Sequence, residues 1–276
     1  MFSVEIMGGL GNQLFQIFTA MAYSIRFKKK LFISKYKYDF KKRPPYWDNF
    51  LNILTPILVD KTISLPQYNE KGFHYEEIPD ITNTSFKLYG YFQSYKYFED
   101  YSETIYDLLK IKNWQKKVKT NNSIDYKNTI SLHFRIGDYK PIQEHHPMMP
   151  VGYYIKALET IIKETGRDNW NVLYFYQQSD DEDVNNNIGE IKQVYKNINF
   201  VPVDHKLLDY EQMLLMSLCE HNIIANSSFS WWGAYFNTNK DKIVCRPNIW
   251  FGPAIKITHI NDMSPPSWRE IIVQIY

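Results

Sequence analysis

The sequence predicts an α/β protein built on doubly wound parallel sheets. Two observations lead to this prediction: strand patterns alternate with helical patterns, and polar or glycine-rich turns directly follow several strands. With 276 residues, 44% of them hydrophobic, the chain is long enough for two domains that each bury a core. We place the domain boundary in the polar stretch TNNS that begins at Thr120, which gives domains 1–122 and 123–276.

Charge and cysteine content narrow the class of protein. Lys and Arg total 32 against 30 Asp and Glu, so a net charge of +2 gives no electrostatic reason to expect nucleic acid or an anionic membrane as a partner. Cys219 and Cys245 lie in apolar surroundings, which predicts reduced structural thiols. No apolar run approaches the roughly 18 residues of a membrane span, and no basic and apolar leader precedes the strand that starts at Phe2. We therefore expect a cytoplasmic protein without an integral membrane segment.

The first half opens with a strand, a glycine turn and a helix. Residues 2–7 (FSVEIM) alternate as a strand does, residues 8–13 (GGLGNQ) predict a turn, and apolar positions over 14–27 recur with the helical period. Leu31–Ser34 is predicted as the second strand. Because GGLGNQ differs from GxGxxG and no acidic residue ends the second strand, this βαβ start favours close approach of the backbone to a ligand over an NAD site.

The rest of the first half is less regular. Residues 36–83 predict irregular cover with no clear helix, residues 86–92 predict a strand, and residues 93–109 predict one helix. The Lys- and Asn-rich stretch 110–128 contains a linker signal near residues 120–123 (TNNS), and a new strand is predicted from Thr129.

The second half predicts a regular parallel sheet. Its expected elements are strands at 129–134, 172–176, 198–203, 222–225 and 242–245, with helices at 152–163, 183–195 and 209–219. Asp209 and Gln212 have capping-box spacing at the start of the third of these helices. In such a sheet, ligands bind at the carboxyl ends of the strands.

Three polar turns follow strands in this half. They are RIGDY at 135–139, QSDDED at 178–183 and NSSFS at 226–230, and we expect them on one rim. The stretch 217–236 predicts a strand, a polar turn and a helix N-terminus, whose free N–H groups and dipole suit diphosphate oxygens. A simple Ser N-cap is the alternative. Likewise, DxD at 181–183 suggests a metal site, although acidic residues also favour a helix start.

Five segments then resemble the motifs of one family, in order and over nearly the whole chain. They are GGLGNQLFQ at 8–16, GYFQSYKYF at 90–98, HFRIGDY at 133–139, QSDD at 178–181 and LMSLCEHNIIANSSFSWWGAYF at 215–236. These segments resemble the fucosyltransferases of glycosyltransferase family 11. The resemblance implies a GT-B-like fold, with two Rossmann-like domains facing across a cleft, the acceptor on the N-terminal side and the donor in the C-terminal domain. It also implies inverting transfer of fucose from GDP-fucose to the 2-hydroxyl of an acceptor glycan, with no metal ion and no further cofactor.

The resemblance also implies the site residues. Catalytic roles fall on Arg135, Asp138 and Asn12, with Arg135 at the donor phosphates. Donor contacts fall on Arg135 and on Gly9, Gly11, Gln13, His133, Gln178, Ser179, Asp180, Asn226, Ser227, Ser228, Phe229 and Ser230. Ile136 departs from the motif, in which a second arginine is usual, so a cation near the donor is missing.

Several alternatives stay open from the residues alone. The base for the acceptor hydroxyl is unranked among Asp138, Glu144, His145 and His146, and Asp138 has the alternative of only orienting Arg135. His133 is either a donor contact or a core histidine. Because Ile136 departs from the motif, another GDP-, UDP- or dTDP-linked sugar remains a candidate donor. A non-catalytic carbohydrate-binding protein is the third class of function.

Overall fold

Parallel strands flanked by helices make up both halves of the protein, so the predicted α/β class is confirmed. The structure is a computed structural model and describes residues 1–36, 44–81, 84–256 and 259–275. Backbone contacts divide the chain into two compact units: Met1–Trp114 with Ile257–Pro265, and Gln115–Lys256 with Pro266–Tyr276. The predicted boundary after residue 122 lies just beyond a helix, Ile111–Asn121, that contains the first division.

A five-stranded parallel sheet forms the centre of the first unit. Its strands are β1 (Phe2–Val4), β2 (Leu31–Ser34), β3 (Leu58–Val59), β4 (Gln67–Asn69) and β5 (Phe86–Tyr89), in the order β3-β2-β1-β5-β4. Helix α1 (Leu10–Arg26) joins β1 to β2 and buries a long apolar stripe that includes Leu14, Ile17 and Phe18. The strand order reverses between β1 and β5, which makes their carboxyl ends the switch point of this sheet.

A six-stranded parallel sheet forms the centre of the second unit. Its strands are β6 (Thr129–His133), β7 (Asn171–Phe175), β8 (Asn199–Pro202), β9 (His221–Ile223), β10 (Val244–Pro247) and β11 (Arg269–Ile271). The order is β11-β10-β9-β6-β7-β8, which in chain order is the 3-2-1-4-5-6 pattern of dinucleotide-binding sheets. Between the strands lie α4 (Val151–Thr165), α5 (Asp181–Val194), α6 (Asp209–Leu218) and α7 (Ser228–Tyr235). The switch point of this sheet lies between β6 and β9.

The predicted elements of the second half are confirmed with shifted ends, and β11 is an additional strand that the sequence reading missed. The capping box predicted from Asp209 and Gln212 at the start of α6 is wrong by one residue. The backbone N–H of Leu208 donates to Glu211 Oε2 at 3.0 Å, so the reciprocal bond comes from Glu211 and not from Gln212. Cys219 and Cys245 are buried free thiols, as expected.

Three predictions for the first half are wrong. The helix α1 begins at Leu10, so Gly11, Asn12 and Gln13 form its first turn instead of a loop. Residues 93–109 contain 3-10 turns at Tyr95–Tyr97 and Glu99–Tyr101 before a short helix, α2 (Ser102–Leu108). The predicted irregular stretch contributes β3 and β4, although its residues 37–43 and 82–83 lie outside the described residues.

The Lys- and Asn-rich stretch contains helix α3 (Ile111–Asn121), which was not predicted and which ends within the linker signal at 120–123. Ile111, Gln115 and Val118 are buried at helical spacing, while the lysines between them are exposed. The high lysine content therefore hid a narrow buried face, which is the pattern of an amphipathic surface helix.

Candidate functional site

The three polar turns of the second unit meet at the carboxyl ends of β6, β7 and β9. The Tyr139 hydroxyl donates to the Asn226 carbonyl at 3.0 Å, which joins the turn after β6 to the turn after β9. The backbone N–H of Gly137 donates to Asp180 Oδ2 at 2.9 Å, which joins it to the turn after β7. We call these turns together the rim. It includes the switch point, where open α/β sheets bind their ligands.

Arg135 is the first cation after β6. Its Nη2 donates to Asp138 Oδ2 at 2.7 Å, and its guanidinium carbon lies 5.2 Å from the centre of the Tyr139 ring. Its Nε is buried and has no hydrogen-bond partner within the described ranges. The side chain is therefore oriented by Asp138, which supports the orienting alternative for that carboxylate.

His133, at the end of β6, is buried, and its ring centre lies 5.6 Å from that of Phe229. Its Nδ1 has no hydrogen-bond partner in the part of the chain that the structure describes. Burial and the neighbouring charge of Arg135 lower the pKa of His133 to about 3, so the ring is neutral at physiological pH.

We expect His133 to make the protein sensitive to acid. Because the pKa falls from about 6.5 in the unfolded chain to about 3 in the folded state, the unfolded state binds the extra proton as the pH drops. Between pH 7 and pH 5 this one group should lower the free energy of unfolding by about 2 kcal/mol. In urea unfolding at both pH values, the variant His133→Phe should lose that much less stability than wild type.

The comparison with wild type isolates His133. The pKa values of His146 and His221 are also lowered by burial, and both residues remain in the variant. Equal losses of stability in the two proteins would show that His133 is not held neutral by the fold.

Helix α7 begins at the rim, and its first residues divide into exposed and buried groups. Ser227 is the N-cap, and its Oγ accepts from the Phe229 N–H at 3.3 Å, so the capping alternative holds for this serine. Asn226 and Ser230 are buried, and Asn226 Nδ2 donates to the carbonyls of Pro147 and Trp250 at 2.9 and 3.2 Å. Only Ser228 and Phe229 of the predicted donor contacts in this turn are partly exposed.

The turn after β7 is held by Asp180. Gln178 and Ser179 are exposed, whereas Asp180 is 3% exposed and each of its oxygens has a partner: Gly137 N–H, and Ser179 Oγ at 3.3 Å. A Cβ on Gly137 would lie 2.5 Å from Gln177 Oε1, so the two turns are in close contact. This geometry gives Asp180 a structural task that the sequence reading did not foresee.

The acidic residues that spell DxD have separate partners. Asp183 forms an ion pair with Lys140, and Asp181 is hydrogen-bonded to the Tyr176 hydroxyl. Among the described residues there is no group of three side chains that could hold a metal ion. The cluster is therefore explained locally by these contacts and by its position in the first turn of α5.

The position that departs from the motif faces the interior. Ile136 is 6% exposed and belongs to the hydrophobic core of the second unit, together with Phe134 and Met149. The residues considered as bases lie close by in sequence. Glu144 and His145 are exposed, while His146 stacks on the Tyr139 ring at 5.0 Å.

The remaining predicted residues belong to the first unit, at the start of α1. Gly8 has φ +72°, and a Cβ there would lie 2.5 Å from Asn12 Nδ2. Gly9 is the N-cap residue of α1, and buried Gln13 donates to the carbonyls of Gly8 and Pro44 at 3.1 Å each. Asn12 Oδ1 accepts from Gln93 Nε2 at 2.8 Å, a contact that the sequence reading missed. This pair lies at the switch point of the first sheet.

The second unit is thus a Rossmann-type sheet whose switch point carries an arginine and a helix N-terminus, an arrangement suited to an anion. The family described as Glycosyl transferase family 11 matches residues 1–270, so the chain belongs to glycosyl transferase family 11. The resemblance stated from the motifs is confirmed.

Two relatives from Escherichia coli are similar in sequence. The O-antigen biosynthesis glycosyltransferase WbnK is 34% identical over 177 residues, an alignment that covers 59% of this chain and only 55% of that protein. The alpha-1,2-colitosyltransferase is 28% identical over 273 residues, which cover 90% of this chain and 91% of that protein.

A solved structure supports the fold. The E. coli ADP-heptose LPS heptosyltransferase II superposes with a TM-score of 0.51 at 10% identity, covering 100% of this chain and 90% of that chain. This superposition confirms the predicted GT-B-like fold as an α/β fold with two parallel sheets. No helix among the described residues is long and apolar enough to cross a membrane.

Proposed function

We propose that this protein is an inverting glycosyltransferase that moves fucose from GDP-fucose to the 2-hydroxyl of an acceptor glycan. The observation that carries the proposal is Arg135, oriented by Asp138 at the switch point of a parallel sheet and linked through Tyr139 to the start of α7. Family membership and a relative named for an alpha-1,2 transfer support the reaction type and the linkage.

In this proposal the acceptor hydroxyl attacks the anomeric carbon while the bond from that carbon to the diphosphate oxygen breaks. Negative charge develops on the departing GDP, and the Arg135 guanidinium with the N–H groups at the start of α7 stabilises it. The proton of the acceptor hydroxyl passes to a base, for which Glu144, His145 and His146 are the candidates left once Asp138 is assigned to orienting Arg135. A cytoplasmic location is proposed as well, and the free thiols of Cys219 and Cys245 support it.

We expect turnover to be independent of divalent metal ions. Arg135 supplies the positive charge that a cation would otherwise bring to the diphosphate, and the carboxylates of Asp181 and Asp183 are engaged by Tyr176 and Lys140. Activity should therefore survive dialysis against excess EDTA. Loss of turnover that Mg²⁺ or Mn²⁺ restores would assign a metal to the reaction.

A second donor is favoured by a specific observation. The relative that spans 90% of this chain is named as a colitosyltransferase. A nucleotide-activated colitose is therefore the second candidate donor, with the same fold and the same rim residues.

Nucleotide identity tests the proposal, and we expect GDP to stabilise the protein more than UDP or dTDP. Guanine offers N–H donors, and the exposed Gln178 and Ser179 of the rim present polar groups to a base. A ligand at about 100 times its Kd stabilises by about 2.7 kcal/mol, which should raise the Tm by several degrees.

The outcomes separate the candidates when melting curves are combined with turnover of GDP-fucose. Better protection by UDP or dTDP would remove the fucose assignment and leave the transferase assignment standing. Protection by GDP without turnover of GDP-fucose would favour the second donor. No protection by any nucleotide would favour a non-catalytic carbohydrate-binding protein.

A further inference from the structure

The segment that follows β5 in the first unit has an unusual backbone. Phe92 has φ +53°, a left-handed conformation that is rare for a bulky residue, and its side chain is fully buried. Such a conformation is strained and persists only where the surroundings enforce it. The residues Gly90–Gln93, which we call the strained segment, therefore need a partner that holds them.

Glu70 is that partner. It directly follows β4, and its backbone N–H donates to the Tyr89 carbonyl at 2.9 Å. Its Oε2 accepts from the backbone N–H groups of Tyr91 and Phe92 at 2.8 and 2.9 Å. The approach is so close that a Cβ on Gly90 would lie 2.4 Å from the Glu70 Cβ, so this position requires glycine.

The strained segment in turn holds Asn12. Gln93 directly follows Phe92 in the sequence, and its Nε2 donates to Asn12 Oδ1 at 2.8 Å. Gln16 Nε2 donates to the Gly90 carbonyl at 3.0 Å and ties the other end of the segment to α1. A chain of hydrogen bonds thus runs from the carboxylate of Glu70 to the first turn of α1.

We propose that Glu70 is a positioning residue that acts through the strained segment and Gln93 to fix the Asn12 side chain for sugar transfer. The proposal rests on the proposed function and on the catalytic role that the motif resemblance implies for Asn12. Oε1 of Glu70 is buried without a hydrogen-bond partner among the described residues. The two bonds to Oε2 are therefore the hydrogen bonds through which the Glu70 carboxylate acts.

The carboxyl group of Glu70 titrates near neutral pH. Burial raises its pKa to about 7, against the two backbone N–H bonds and the charge of His74, which lower it. Among the described residues, Tyr97 also interacts with Glu70, whose negative charge helps to raise the pKa of the Tyr97 hydroxyl. Since the ionised carboxylate is the stronger acceptor, the hold on the strained segment weakens as the pH falls through 7.

The test compares Glu70→Gln with Glu77→Gln, a control in the same part of the chain whose exposed carboxylate pairs with Arg26. Glu70→Gln should lower kcat by at least about tenfold, because a small displacement of a catalytic group is costly. It should leave GDP affinity within about twofold and remove the acidic limb near pH 7 from the kcat profile. The control should keep both the rate and the limb. Wild-type kcat and an unchanged limb in Glu70→Gln would overturn the proposal.

Two further measurements keep the proposal testable. If Glu70→Gln does not fold, Gln93→Ala cuts the same chain of hydrogen bonds one step later and should lower kcat similarly; full activity of that variant would overturn the proposal. If the wild type transfers no sugar, the proposed function fails by itself. Hydrogen exchange of the Tyr91 and Phe92 amides then decides whether Glu70 holds the segment, and unchanged protection in Glu70→Gln would show that it does not.

Discussion

Replacing Arg135 with lysine is expected to lower kcat/KM by about thirty- to a thousandfold while leaving the fold intact. In the proposed function the planar guanidinium would bind two phosphate oxygens at once, and an ammonium group cannot reproduce this geometry. Loss of a contact made mainly in the transition state costs roughly 2–4 kcal/mol. Steady-state kinetics with the nucleotide sugar that the protein turns over would measure the loss.

A matched control is available in the same unit. Arg269 donates to both carboxylate oxygens of Glu164 at 2.8 and 3.0 Å on an exposed surface, so Arg269→Lys changes the same chemistry away from the rim. This variant should keep wild-type kinetics, because exposed ion pairs contribute little. An Arg135→Lys protein within about threefold of wild type would remove Arg135 from the mechanism.

Replacing Asp180 with alanine is expected to impair the rim, whereas replacing it with asparagine should not. Asp180→Ala removes the charged acceptor of the partly buried Gly137 N–H, which costs about 1–3 kcal/mol and frees the turn that carries Arg135. Asparagine keeps an acceptor oxygen at this position. Melting temperature and GDP affinity should therefore both fall in Asp180→Ala and stay close to wild type in Asp180→Asn.

The pair of variants also separates two roles of Asp180. The motif resemblance predicts that Asp180 contacts the donor, and guanine N–H groups need a carboxylate or another acceptor. If both variants kept the wild-type Tm and both lost GDP affinity, recognition of the nucleotide would be the better account. A fall in Tm and GDP affinity that is seen in Asp180→Ala and not in Asp180→Asn would show that Asp180 holds the turn.

The sequence by itself determined the class of fold and the location of the rim. Strands and helices in the second half follow from hydrophobic periodicity, which is a property of neighbouring residues and needs no knowledge of contacts far along the chain. The same holds for the polar turns that follow β6, β7 and β9, and for the motifs that assigned the family. The amphipathic face of α3 was also present in the sequence, but the helix was not predicted because lysines separate its few buried positions.

Only the tertiary structure decided which side chains those turns place together. Asp180 meets Gly137 across 43 residues of chain, and Tyr139 meets Asn226 across 87. Glu70 had no motif or periodic signal at all, and its task became visible only when β4 and β5 were paired in the sheet. The physical reason is that a buried backbone N–H needs an acceptor but does not specify where in the sequence that acceptor comes from, so the choice is made by strand order and packing.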